Sequence, residues 1–290
     1  MKRLPWIMSA LLAATMFGEA RAAIIAYDGF ANGTPGLDLV GNDGGTGFNS
    51  PWLPGGFNAS QFANYDIGAG SLASNNLSTS GNRATTASTT SIAGLRRVLS
   101  RTIGPNETFY LSVLLRPEGT VGEGAFGGFF GLYLDSTNGD ANDLYLGKPG
   151  EFNQYALETR GGTGRSLSNF TAVSGQTTLL TLKGELRTGT DLLTLWVNRP
   201  LGGGDPTSFD AQKADLDLVS FNALVIYSTG AFSIDEIRIG QTYADVTPAV
   251  AAVPEPSTLL SAASGVTGLL LVARRRRKGT TVAVPSRAAG

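Results

Sequence analysis

The 290-residue chain contains no cysteine and no histidine. The first absence excludes disulfides and thiol nucleophiles. The second removes the base of a Ser-His-Asp triad, and together they remove the usual zinc ligands. Hydrolytic chemistry is left to carboxylates, in a chain of which only 16% is charged. Long helical periodicity is scarce as well, and almost nothing in the middle of the chain reads as helix. Positive charge is concentrated at the two ends. Residues 1–22 hold three basic and one acidic residue, and the part from Pro254 onward holds six basic and one acidic. Setting these aside leaves 13 basic against 21 acidic residues over 23–253, a net charge of −8. Phosphate binding needs clustered lysine and arginine, so nucleic acid is not expected as a partner.

What is present is a series of short β-branched and aromatic runs separated by Gly, Asn, Asp and Pro, the turn formers. Thr108–Arg116 places Phe109, Leu111, Val113 and Leu115 on one face, the period of a half-buried strand, and Pro117 ends it. Further strands are predicted at Ile24–Tyr27, Leu95–Thr102, Gly128–Leu134, Leu144–Gly147, Gln154–Glu158, Thr178–Glu185, Leu192–Asn198, Ala223–Ser228 and Phe232–Ile239. The Thr85–Ser91 tract reads as a flexible polar loop. Many strands without crossover helices predict an all-β domain, two packed antiparallel sheets with jelly-roll connections.

The ends carry addresses. Lys2 and Arg3, the apolar Ile7–Phe17 and the small-x-small Ala20-Arg21-Ala22 form a signal peptide with cleavage by signal peptidase expected after Ala22. At the other end, Val253-Pro254-Glu255-Pro256-Ser257 precedes an apolar stretch, Thr258–Ala273, and then Arg274-Arg275-Arg276-Arg277-Lys278. The apolar stretch falls short of the about 20 residues of a stable spanning helix, which suits a segment held for processing. The basic cluster stays on the cytoplasmic side. This three-part order resembles the PEP-CTERM sorting signal, and the resemblance implies an exosortase that cleaves the exported chain at the membrane. The expected organisation is signal peptide 1–22, β-sandwich ectodomain 23–247, Pro-rich stalk 248–257, hydrophobic helix 258–273 and basic cytoplasmic tail 274–290. The expected destination is the cell surface or extracellular matrix, after an inner-membrane intermediate.

Within the ectodomain, Ile25-Ala26-Tyr27-Asp28-Gly29-Phe30, the Gly44–Phe48 loop leading to Pro51-Trp52, and Phe232–Gly240 before Tyr243–Pro248 resemble the framework of concanavalin A-like (LamG-like) domains. That resemblance is one of fold; the candidate partner is a glycan, exopolysaccharide among others. The resemblance also implies that the first and last strands lie side by side, where Asp28 and Asp235 could share a structural Ca2+ given enough further oxygens. Asp28 could equally make an Asx-turn, and Asp235 with Glu236 could occupy a solvent face or a bulge. For sugar binding, Trp196 shares a strand face with Thr194 and Asn198, and Tyr133, Tyr145 and Tyr155 could join it; the same rings could instead pack in the sandwich. Concanavalin A-like retaining hydrolases carry a Glu-x-Asp-x-Glu strand, and none occurs here. The ectodomain therefore reads as a non-catalytic glycan-binding or structural module. The alternative is a calcium-dependent, glycosidase-like enzyme on the same sandwich.

Overall fold

The predicted runs become strands in the computed structural model, which describes residues 24–250 apart from 56–64, 75, 87–91, 123–127 and 136–142. The expected signal peptide, hydrophobic helix and basic tail lie outside the described residues. The strands are β1 (Ile24–Asp28), β2 (Leu53–Pro54), β3 (Asp66–Gly68), β4 (Arg83–Thr85), β5 (Ile92–Ile103), β6 (Thr108–Pro117), β7 (Phe130–Asp135), β8 (Leu144–Lys148), β9 (Gln154–Thr159), β10 (Thr163–Thr171), β11 (Thr178–Glu185), β12 (Leu192–Val197), β13 (Ala211–Lys213), β14 (Phe221–Thr229) and β15 (Phe232–Gly240). One short helix, α1 (Tyr243–Val246), follows. Thr242 caps it, accepting from the Asp245 backbone while the Asp245 carboxylate returns a bond to the cap.

Two antiparallel sheets result. The first runs β13-β12-β11-β6-β15-β4-β3 with β1 also paired to β15, and the second runs β10-β9-β8-β7-β14-β5-β2. Hairpins build the β7–β10 and β11–β13 blocks, while β4 to β5, β5 to β6, β6 to β7, β10 to β11, β13 to β14 and β14 to β15 all change sheet, as do the connections on either side of β2, a jelly-roll pattern of connection. The expected neighbourhood of the chain ends is present, with Asp28 opposite Ile237. Successive side chains on a strand point to opposite faces. Leu111, Leu182 and Leu195 of the first sheet therefore meet Leu95, Leu132 and Ile226 of the second in one core. The Gly44–Phe48 loop lies against β1, where Tyr27 and Thr46 exchange backbone hydrogen bonds of 2.9 and 2.8 Å. A Cβ on Gly47, whose φ is +79°, would stand 2.0 Å from the Ile25 carbonyl oxygen, so glycine is required there.

The outer face of the first sheet is covered. Leu72 and Leu77 pack on Leu114 and Leu179, and α1 lays Tyr243 and Val246 on Tyr110 and Trp196. The cover extends past the expected end of the domain at 247: the Ser78 N–H donates to the Pro248 carbonyl at 2.8 Å, and Leu77 bridges Ala249. Among the described residues, no helix is long and apolar enough to cross a membrane.

Candidate functional site

The outer face of the second sheet is built differently. On β7, Phe130, Leu132 and Leu134 point into the core, which sends Tyr133 outward. The same alternation sends Tyr145 out of β8 and Val225 and Tyr227 out of β14. Register then lines them up, since Val225 pairs with Tyr133, Tyr133 with Tyr145, and Tyr145 with Glu158. The rings touch, with centroids 5.1 Å apart for Tyr133 and Tyr145 and 6.2 Å for Tyr133 and Tyr227. Phe129 packs on Tyr227 at 5.0 Å. The Tyr145 ring lies over Gly131, where any Cβ would stand 1.8 Å from the ring. Its hydroxyl sits between the carbonyls of Phe130, at 2.7 Å, and Lys148.

These rings floor a cleft of about 450 Å³ whose wall is charged, with Glu151, Glu158 and Arg165 among its lining residues. Arg165 holds both acids: its Nη1 lies 2.9 Å from Glu151 and its Nε 2.5 Å from Glu158. Glu158 is nearly buried and Glu151 is largely exposed. Burial pushes the Glu158 carboxyl above its ordinary range, and Arg165 works against that shift. Burial first, and then the Glu158 charge, push the Tyr133 hydroxyl well above the tyrosine range. Arg165 reaches the wall because the two sheets meet at their edges. The Ser166 hydroxyl donates to Gln212 at 2.7 Å, and Lys213 Nζ is bonded to the Gly164 carbonyl. Beyond the cleft, this face carries the pairs Arg96–Asp135 at 3.0 Å and Arg160–Asp143 at 3.4 Å.

The structure separates the residues expected to bind sugar together. Tyr133 is on the second sheet, whereas Trp196 is on β12 of the first, 3% exposed and set edge-on to Tyr243 at 5.6 Å. Alternation assigned Trp196 to the correct face, but α1 covers that face, and the exposed platform is corrected to a packed ring. Asn198 has a φ of +51°, and its side-chain oxygen accepts the Leu179 N–H at 2.9 Å, so it shapes the strand end. Tyr155 points into the core. Tyr227, Phe129, Glu151 and Arg165 were not anticipated as partners. Tyr227 and Glu158 stood on predicted strands and were within reach of alternation. Arg165 was not, because its edge strand begins among glycines.

The paired-cation expectation is also corrected. Asp28 turns toward the interior, where Oδ1 accepts the Phe30 N–H at 2.8 Å, the expected Asx-turn, and Oδ2 accepts Trp52 Nε1 at 2.9 Å. Arg97 of the other sheet completes a buried ion pair with it and stacks on Phe48 at 4.1 Å. Asp235 faces the other way, next to Leu114, and accepts the Leu72 and Glu236 N–H groups, both at 2.7 Å, and the Ser71 hydroxyl. The expected bulge is present, with Glu236 at φ +54° and the register shifting between Asp235 and Arg238, but neither acid faces solvent. Burial, aided by the Glu236 charge, pushes Asp235 up to about 8. The two aspartates share no partner. Among the described residues, no group of three or more acidic side chains could hold a metal ion. The residues around Asp28 and Asp235 therefore do not fit Ca2+.

Comparison with known proteins separates the two parts of the chain. No curated protein matches it. The described fold is similar to the T. cruzi calreticulin globular domain at 12% identity and a TM-score of 0.45, covering 68% of this chain and 86% of that one. It is similar to the carbohydrate binding module CBM66 from Bacillus subtilis at 9% identity and a TM-score of 0.37, covering 61% and 95%. It is also similar to endo-1,3-beta-glucanase from Streptomyces sioyaensis at 10% identity and a TM-score of 0.41, covering 75% and 95%. The C-terminal match is to a family model. Residues 252–277, which include Val253–Ser257 and Arg274–Arg277, are a PEP-CTERM protein-sorting motif, and the motif marks the chain as an exported protein sorted by an exosortase to the cell surface.

Proposed function

We propose that the protein is a non-catalytic glycan-binding module displayed on the cell surface or in the extracellular matrix, after removal of its signal peptide and exosortase cleavage near Val253–Ser257. The observation that carries this reading is the second-sheet cleft. A concave site with an aromatic floor and a few converging polar groups is the common form of a small-ligand site. Here Tyr133, Tyr145 and Tyr227, which are 7%, 1% and 5% exposed, back the cleft as a buried floor, and Glu151, Glu158 and Arg165 at its wall supply donors and acceptors of the kind that bond sugar hydroxyls. Export brings such a cleft to where exopolysaccharide is found. The test is titration of the full chain with soluble oligosaccharides, reading tyrosine fluorescence and heat. Saturable binding that Glu158→Gln weakens supports the proposal. Binding that ignores Glu158→Gln and Arg165→Ala sends the glycan elsewhere.

One observation favours a second reading, a glycosidase: two carboxylates, Glu151 and Glu158, line one cleft. Arg165 pairs with both, and this holds them as ligand anchors rather than as a free acid and nucleophile. Release of reducing ends from a bound glycan, abolished by Glu158→Gln, would establish the enzyme instead.

A further inference from the structure

We infer that the cleft ranks glycans by charge, taking amino sugars first, neutral sugars next and uronate-bearing or sulfated chains last. This rests on reading the cleft as a glycan site and names the ligand class it would take.

The order follows from the charged groups where a sugar would lie. Among the described residues, the cleft lining has one guanidinium and two carboxylates, and the guanidinium is engaged by both. Glu158 is nearly buried against Arg165, and Glu151, whose side chain is 58% exposed, is the acid open to a ligand. The other cations of this face, Arg96 and Arg160, each have an aspartate beside them, so a ligand carboxylate would have to displace Asp135 or Asp143 to gain a partner. The aromatic floor adds no positive group. A uronate or sulfate entering here would face the exposed carboxylate and meet no uncommitted arginine. A protonated amine would find an acceptor. Unit charges several ångströms apart near a protein surface change affinity on the order of tenfold. The whole ectodomain, at a net charge of −8 over residues 23–253, pushes in the same direction at long range. The site effect must therefore be separated from the global one.

Three hexamers serve as probes, of glucosamine, of glucose and of galacturonic acid, titrated into the full chain in mild detergent at pH 5.5 and low salt. The expected order of affinity is amine, neutral, uronate, in steps of roughly tenfold that contract in 0.5 M salt. Glu151→Gln removes the exposed charge and should narrow the spread between amine and uronate about tenfold. Glu185→Gln removes the same charge from the first sheet, where Glu185 pairs with Lys183 and Arg187, and should leave the spread intact. Uronate binding as tight as neutral binding overturns the ranking while leaving a glycan site standing. Equal narrowing by Glu185→Gln overturns the cleft as its cause. Binding of none of the three removes the glycan reading and the ranking together.

Discussion

The two outer faces of the sandwich are made of the same materials and put them to different uses. Each carries aromatic rings at outward positions, Tyr110 and Trp196 on the first sheet and Tyr133, Tyr145 and Tyr227 on the second. Each also carries an acid–arginine network. On the first sheet, Glu236 pairs with Arg238 and takes the Ser80 N–H at 2.6 Å, and Arg238 donates to the Ser78 carbonyl. Those groups are consumed in fastening residues 71–74 and 76–80 over the sheet. On the second sheet, Glu151, Glu158 and Arg165 bind mainly one another at the wall of a cleft. Alternation reports which face a ring is on. What lies over that face is decided by segments far away in sequence, here α1 and the strap of residues 71–74 and 76–80.

The sharpest way to break this comparison is to cut the network that fastens the strap. Arg238→Ala leaves Glu236 buried without its cation and is expected to cost about 3–5 kcal/mol in chemical denaturation. If the first-sheet network were only a surface decoration, the loss would fall below about 1 kcal/mol. Trp196→Ala follows at about 3 kcal/mol, because the ring is buried between Tyr110 and Tyr243. Oligosaccharide affinity of the folded fraction should not change with it. A loss of affinity without a loss of stability would return Trp196 to the role of a sugar platform.

A third effect depends on pH. Asp235 is pushed up to about 8 in the folded chain from the ordinary aspartate value near 3.8. Its protonated form is favoured by folding, so the stability it contributes is fully present below about pH 4 and is lost as pH rises through about 8. Thermal melts between pH 5 and 8.5 should show a falling midpoint, and Asp235→Asn should flatten that fall. A midpoint that rises over this range, or a fall that Asp235→Asn leaves untouched, would contradict the burial of Asp235 beside Glu236. The smallest stability effect belongs to the cleft: Glu151→Gln should change the unfolding free energy by less than about 1 kcal/mol, since its ion pair is exposed, while changing ligand preference. Destabilisation as large as that of Arg238→Ala would make the cleft network a structural clamp as well.

Much of the fold was legible in the sequence because strands with one buried face write a period of two. Thr178–Glu185 coincides with β11, and most other predicted strands differ from the observed ones by a few residues at either end. The strands β3, β4 and β13, three residues each, are too short to establish a period. β10 is a mostly exposed edge strand, with Leu167 and Phe170 outward and Ser168 buried, so polarity hides it. Thr85 and Thr86, expected in a flexible loop, instead pair β4 with β15 and bury a hydroxyl bonded to the Gly230 carbonyl. The site was half legible. Tyr133 and Tyr145 were named as candidates, but beside Trp196, which lies on the other sheet, and the Arg165 link between two acids depends on the edge of one sheet reaching the edge of the other. The sorting signal was legible in full, because it is read as a linear segment.

The most direct test of the account is residue-resolved mapping of ligand contact by NMR titration of the isotope-labelled chain with the glucosamine hexamer. Shifts are expected to cluster at Tyr133, Tyr145, Glu158, Arg165 and Tyr227, with Trp196 and Tyr110 silent. Shifts centred on Trp196 and Tyr110 would contradict it and make the covered face of the first sheet the binding surface.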